Sequence, residues 1–588
     1  MAGLVLGLIF KPLLLIIVWH VVGSSINSKI KQTVVSSIIY GLVIWSVIVT
    51  SLITFLTLLG YSLGFNGLVS LTFFTGIVFI KWYPKAQTLK FIDKKELLLM
   101  ASTLIFLLFL SYPFIRATGT SARIQILTTG EDNASHFAMT KYNLENGQPS
   151  YFNRTDSGLI NSLNTYPQGM HITYSSIIKT IAPNSSDKLK VNLYILCTIG
   201  FFTIMFYLFG RVLTSFLNDN KYYSTHAQLL ISTITLLLFI SGPLFQLYVS
   251  GFQSQILSYV YMLMLIQLYI VSWNDKRFTD SLLLYVLLLS GIANNWYLLL
   301  PIAGAPLGYK IIRNFGKLKE LSPISIVGLL LLSISAGIPI LVSQIYSDKI
   351  NPLNEPGGVF KIPLTTIACL GLVGMLFIFY KKVSLQARQV LAISTSFAVI
   401  ITTAIYAYQK LTIGRPEYYF FKTLFNLYIF GLIAALSLLF IFVVNNYSKV
   451  IIYILAVGIV FLFILAKPVQ TRVHFFNWYN HATNVNDLEI VLNDIHQENT
   501  DTIFYGDCLP ASDYLDNRWS GALELSSSGE RSQLEIASLN GKSKLVGESL
   551  LNYVGLHQNT IVYFDNECGE PEIKDQLITK GIKVFDEK

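Results

Sequence analysis

The run Leu97-Leu98-Leu99-Met100-Ala101-Ser102-Thr103-Leu104-Ile105-Phe106-Leu107-Leu108-Phe109-Leu110 and, twenty residues further on, Gly130-Glu131-Asp132-Asn133-Ala134-Ser135-His136 decide what kind of molecule this is. The first belongs to an apolar stretch, 97–115, of about the twenty residues a helix needs to cross a bilayer. The second puts two adjacent carboxylates and a histidine just past its end. Apolar runs like the first recur to about Lys467, and 53% of residues are hydrophobic against 13% charged. Soluble domains carry roughly 25% charged residues, so the composition is that of an integral membrane protein. The first run, 4–22, has no basic stretch before it and no small-residue cleavage site after it. It is expected as a retained helix rather than a signal peptide.

Spans are expected near 4–22, 33–59, 65–81, 97–115, 190–213, 226–247, 251–272, 280–293, 296–312, 323–345, 364–380, 388–408, 421–443 and 450–467, about fourteen helices in all. Short basic loops orient such a bundle toward the cytoplasm. The loop 81–95 carries Lys81, Lys85, Lys90, Lys94 and Lys95, and is expected inside. Lys276 and Arg277, then Arg313, Lys317 and Lys319, then Lys381, Lys382 and Arg388 fall inside by the same alternation. The long polar loop 116–188 is then extracytoplasmic, and an even number of spans puts the C-terminus on that side too.

Charge agrees. From 485 onward there are 19 acidic and eight basic residues, leaving about +20 for the remainder of a chain whose net charge is +9. A basic membrane body with an acidic exported tail explains the sequence pI of 9.0 without nucleic acid as a partner. Residues 1–476 form the expected transmembrane domain, and 477–588 a small soluble domain. In the latter, strand-like runs at 501–505, 560–564 and 582–585 alternate with helix-like stretches at 485–497, 547–554 and 571–580. That alternation predicts an α/β domain with a mainly parallel sheet. Cys508 and Cys568 lie in it, and a disulfide between them stays open. Cys197 and Cys369 fall within expected spans as packing residues.

Titratable groups concentrate in the polar loop. Asp132 and His136 are four apart and share a helix face, with Glu131 beside them. Tyr166-Pro167-Gln168-Gly169-Met170-His171 adds a second histidine after a rigid proline and a permissive glycine. Acidic residues opening a solvated helix, where the dipole favours them, remain the simpler alternative. A third element, Gly414-Arg415-Pro416-Glu417-Tyr418-Tyr419-Phe420-Phe421-Lys422, is expected on the same outer face. It reads either as an interfacial aromatic belt with snorkelling cations or as a phosphate clamp made by Arg415 and Lys422 beside tyrosine rings.

The acidic pair in the first large loop, the Tyr-Pro-x-Gly-x-His element and Tyr418-Tyr419-x-x-Lys422 before a late helix resemble the GT-C superfamily of integral membrane glycosyltransferases. The likeness is to bacterial polyprenyl-phosphate-sugar-dependent members, including arabinofuranosyltransferase-like proteins. It covers most of the membrane region, although four expected helices precede the acidic loop where many members have one. The resemblance implies Asp132 as general base with Glu131 its partner. His136, Tyr166, His171, Arg415, Tyr418, Tyr419 and Lys422 would bind substrate, Arg415 and Lys422 at the lipid phosphate. It further implies a polyprenyl-phosphate sugar donor and a cell-envelope glycan or lipid-linked acceptor, in a multi-pass protein of the cell membrane. No cofactor is required, and a divalent ion held by the two histidines and two carboxylates stays open. A multi-pass transporter or flippase of a lipid-linked or small solute is the alternative.

Overall fold

In hydrocarbon every backbone N–H and C=O has to be paired within the protein, so apolar segments close their hydrogen bonds as helices. The computed structural model describes residues 2–25, 33–80, 94–128, 132–151, 166–217, 225–272, 278–345, 353, 361–381, 383–446, 501–505, 510–524, 543–564, 566 and 569–586. Before the polar loop come α1 (Ala2–Ser24), α2 (Val34–Leu58), α3 (Phe65–Ile80) and α4 (Lys94–Arg116). The loop itself folds into α5 (Thr120–Thr128), α6 (Asp132–Asn146) and α7 (Gly169–Ile181). There follow α8 (Asp187–Leu217), α9 (Thr225–Ser241), α10 (Pro243–Val249), α11 (Gln253–Ser272), α12 (Phe278–Trp296) and α13 (Leu300–Arg313). Last in the bundle are α14 (Pro323–Ile345), α15 (Leu364–Phe379), α16 (Leu385–Thr412) and α17 (Tyr418–Asn446).

Eight helical stretches among the described residues are long and apolar enough to cross a membrane, nine if α9 and α10, bent by 49° at Gly242, form one broken span. The expected fourteen are not reached among them, and besides that broken pair three differences matter. The N-terminal run counts only as the shorter apolar helix Lys11–Ser24. The pair expected at 280–293 and 296–312 is one run, Ser281–Arg313, continued through the tight turn Tyr297–Leu299. And α3 and α15, with 16 residues each, rise only about 24 Å against a hydrocarbon core of about 30 Å. The run expected at 450–467 lies outside the described residues.

Close packing fixes the first two helices. A Cβ on Gly41 would overlap the backbone carbonyl of Trp19, and one on Gly23 that of Ser37, so α1 and α2 touch backbone to backbone. Small residues are what allow such an approach between membrane helices. Deeper in the bundle, Tyr207 donates to the Glu96 carboxylate, and Arg211 lies 3.5 Å from the same oxygen. Tyr40 donates to Gln267. Polar groups this buried must be paired, and these ties join α2 to α11 and α4 to α8.

The C-terminal segment contains β1 (Asp501–Tyr505), α18 (Pro510–Glu524), α19 (Ser543–Leu556), β2 (Thr560–Phe564), α20 (Pro571–Thr579) and β3 (Lys583–Asp586). The sheet is parallel in the order β1-β2-β3, with Asp501 opposite Thr560 and Ile561 opposite Lys583. The three expected strands are therefore present, with their helical crossovers. Asn517 clamps α18 to β1 by accepting from Phe504 N and donating to Phe504 O, both at 2.8 Å. The boundary at 477, the stretch 485–497, Cys508 and Cys568 lie outside the described residues.

Gly41→Val is expected to lower the melting temperature of the detergent-solubilised protein sharply, whereas Gly371→Val, which meets nothing within 4 Å, leaves it near wild type; thermal-shift gel filtration measures both.

Candidate functional site

The loop helix α6 opens on Asp132, in the first turn where the dipole favours a carboxylate. What distinguishes this acid is what meets it. Tyr418, the first residue of α17 and 286 positions away, donates its hydroxyl to Asp132 Oδ2 at 3.0 Å. One helical turn later Lys422 donates to the same tyrosine hydroxyl, and its Nζ is 3.9 Å from Asp132 Oδ2. The Lys422 side chain is 6% exposed and that of Asp132 33%, so the ammonium forms the floor of the cluster and the carboxylate its open side. Nζ also lies 4.0 Å from the ring centroids of both Phe252 and Tyr418, where the ring quadrupole attracts a cation.

Two histidines line the same place. His136 Nδ1 and His171 Nε2 are 2.9 Å apart, a hydrogen bond that a neutral pair satisfies with one proton. Burial, then the Lys422 and Arg518 charges, push the His136 pKa from 6.5 down to about 3. Burial, then His136, hold His171 well below its ordinary value. Tyr166 packs beside both, its ring centroid 5.6 Å from His136 and 6.1 Å from His171. His136 Nε2 and His171 Nδ1 are buried without a hydrogen-bond partner among the described residues.

The wall opposite comes from the turn between α10 and α11. Gly251 has φ +79°, and a Cβ there would lie 3.1 Å from Asn133 N, so the turn presses on the first residues of α6. The polar run Gln253-Ser254-Gln255 opens α11 buried, at 1%, 2% and 3% exposure. Gln255 Nε2 donates to Tyr259 Oη at 2.8 Å and to Lys422 O at 3.2 Å, and Tyr259 donates to Asn426 Oδ1 at 2.8 Å. Gln253 has no partner for either end of its carboxamide among the described residues. Unpaired buried groups of this kind each cost about 1–3 kcal/mol, which a ligand able to bond them offsets.

Of the residues expected from sequence, the fold brings together Asp132, His136, Tyr166, His171, Tyr418 and Lys422, with Tyr419 against Tyr418 at 5.2 Å between centroids. It does not bring Arg415 there: that side chain is 76% exposed and paired with Glu417 at 2.5 Å. Glu131 lies outside the described residues. Gly169 serves differently from the permissive turn expected. A Cβ there would come within 2.7 Å of Asn294 O, so the lack of a side chain, not backbone freedom, is what the position uses. No group of three His, Cys, Asp or Glu among the described residues is placed to hold a metal ion. A separate, half-open pocket lined by Asn143, Ser175, Ser176 and Lys179 lies toward the far ends of α6 and α7.

Sequence reasoning missed two parts. The Gln253–Gln255 run carries a legible signal, three polar residues opening an apolar helix. Arg518 carries none. It sits on α18 of the C-terminal segment and donates from Nη2 to Ser135 Oγ at 2.8 Å. Neighbouring contacts hold α18 there: Phe137 and Trp519 ring centroids are 5.8 Å apart, and Lys141 donates to Leu523 O.

Comparison with known proteins finds no matching family model and no matching curated protein.

Because His136 titrates near 3 when folded and near 6.5 when exposed, the unfolded chain takes up the proton first. The histidine contribution to stability is therefore complete above about pH 6.5 and is lost as pH falls from there toward 3. His136→Gln is expected to flatten this acid dependence of the melting temperature; an unchanged slope counts against the buried neutral pair.

Proposed function

We propose that the protein is a membrane glycosyltransferase that moves a sugar from a polyprenyl-phosphate donor to a cell-envelope glycan or lipid-linked acceptor. The observation that carries this reading is the meeting of a one-third-exposed carboxylate, Asp132, with a buried ammonium, Lys422, from the other end of the membrane region. Asp132 is the general base and takes the proton of the acceptor hydroxyl. The freed oxygen attacks the anomeric carbon and forms the new glycosidic bond. The bond from that carbon to the phosphate oxygen breaks, with its electron pair leaving on the polyprenyl phosphate. Attack opposite the leaving group inverts the anomeric centre.

Lys422, with Phe252 and Gln255 at the N-terminus of α11 against it, supplies charge stabilisation for the departing phosphate. A leaving group that stays in the bilayer accounts for a site at the head of a membrane helix. The lysine-rich loops support an extracytoplasmic position for Asp132. The contact between α18 and α6 supports the same side for the C-terminal domain. The chemistry is that implied by the resemblance of the sequence motifs to the GT-C superfamily.

Purified full-length protein is expected to transfer sugar from a polyprenyl-phosphate donor, read by mass spectrometry of the product. Asp132→Asn lowers the rate by about 10²–10⁴-fold with donor binding retained, and Lys422→Ala raises the KM for donor more than that for acceptor. Near-normal turnover by Asp132→Asn overturns the base assignment. A protein that transfers no sugar but moves a solute across vesicle membranes is a transporter instead.

A further inference from the structure

The charge of the leaving group changes during the proposed reaction. A sugar ester of polyprenyl phosphate is a phosphodiester with one negative charge. Once the glycosyl bond breaks, it becomes a monoester of roughly −1.5 to −2 at neutral pH. One ammonium matches the donor; the second charge appears only as the bond opens. A second cation is therefore most effective in the transition state, where added binding raises turnover. Arg415 does not fill this place, being exposed and paired with Glu417.

Arg518 is the second cation that the fold brings to the start of α6. Its Nη2 lies 2.8 Å from Ser135 Oγ. Ser135 follows Asp132 by three residues, which on a helix puts them on one face about 5–6 Å apart at Cβ. Lys422 approaches the same turn from α17, 3.9 Å from Asp132 Oδ2. The two cations thus approach the first turn of α6 from the C-terminal segment and from the membrane bundle. The depressed pKa of His136, to which burial contributes most and both charges add, agrees with this closeness.

Arg518 is also held for the purpose. Asn517 before it is locked to Phe504 of β1 by two hydrogen bonds. Trp519 after it is 1% exposed and packs on Phe137 of α6. Two residues on, Ser520 donates to Thr502 O at 3.0 Å. A guanidinium on so constrained a helix loses little freedom when it binds, and its planar fork matches two phosphate oxygens.

We propose that Arg518 of the C-terminal domain is the second phosphate-binding cation of the Asp132–Lys422 site, which is complete only when that domain is docked on α6. This rests on the glycosyl-transfer reading. It assigns the C-terminal domain a direct part in holding the lipid phosphate.

The test uses the full chain in detergent, with decaprenyl phosphate and uncharged decaprenol as probes. Arg518→Ala is expected to weaken decaprenyl phosphate binding about tenfold to a hundredfold and to leave decaprenol binding unchanged. Arg518→Lys recovers part of the loss, because it keeps the charge without the fork. Ser135→Ala, which removes the docking hydrogen bond but keeps the guanidinium, stays within about threefold of wild type. Three results overturn the proposal alone while wild type still binds the lipid phosphate: Arg518→Ala binding it as wild type does, losing decaprenol equally, or being matched in its loss by Ser135→Ala. Wild-type protein that binds no polyprenyl phosphate overturns the glycosyl-transfer reading as well.

Discussion

An ammonium buried at the head of a membrane helix has to be neutralised or bonded by protein, because desolvating it unpaired costs several kcal/mol. Lys422 is such a group, and the surroundings of the site follow from that demand. Tyr418 and Asp132 meet its charge, the rings of Phe252 and Tyr418 face it, and Gln255 donates to its backbone carbonyl. Satisfying it requires α6, α11 and α17 to converge. Those helices come from the polar loop, the middle of the bundle and its described end. The demand of one cation thus holds three distant parts of the chain at one point.

The short helix α6 is where these demands are transmitted. Its first turn carries Asp132, Ser135 and His136, and its next turns carry Phe137, Lys141 and Glu145. Lys141 bridges to Asp187 at 2.9 Å, and Lys190 to Glu145 at 3.1 Å and Asp187 at 2.7 Å, which ties α6 to the start of α8. The same Lys141 ammonium donates to Leu523 O of α18, and Trp519 of α18 packs on Phe137. A helix tied to both α8 and α18 can present a carboxylate with little reorganisation, which is the property a positioned base needs. That His136 and its partner His171 on α7 remain neutral follows from their burial: two charged rings would repel one another, and a charged His136 would also repel Lys422 and Arg518.

Much of this was legible in order and little in arrangement. The apolar runs announced helices, and the described bundle is helical where they fall. The three strand-like runs of the C-terminal segment are strands in one parallel sheet. The span count was less legible, since hydropathy reports a run but not whether its helix is long enough or continuous with the next, as Ser281–Arg313 illustrates. At the site, Asp132, His136, His171 and Lys422 stood out because charged residues and histidines are few in such a sequence, and Tyr418 because it lies one helical turn before Lys422. Arg415 stood out for the same reason and pairs elsewhere, with a neighbour two residues away. Arg518 could not stand out, because an arginine in a soluble, charged segment is ordinary.

By itself the sequence determined that the chain carries runs long and apolar enough to cross a membrane, that a polar loop and an acidic tail interrupt and follow them, and which few residues carry titratable chemistry. Hydrophobicity and periodicity are local properties, so they can be read without knowing what lies across from them. Only the tertiary structure decided which of those residues share a site, that Gly169 and Gly251 are contact points, and that Arg518 approaches from the C-terminal segment. Those outcomes depend on pairing buried charges and polar groups between segments up to nearly 400 residues apart. Nothing in the local sequence of either partner records such a pairing.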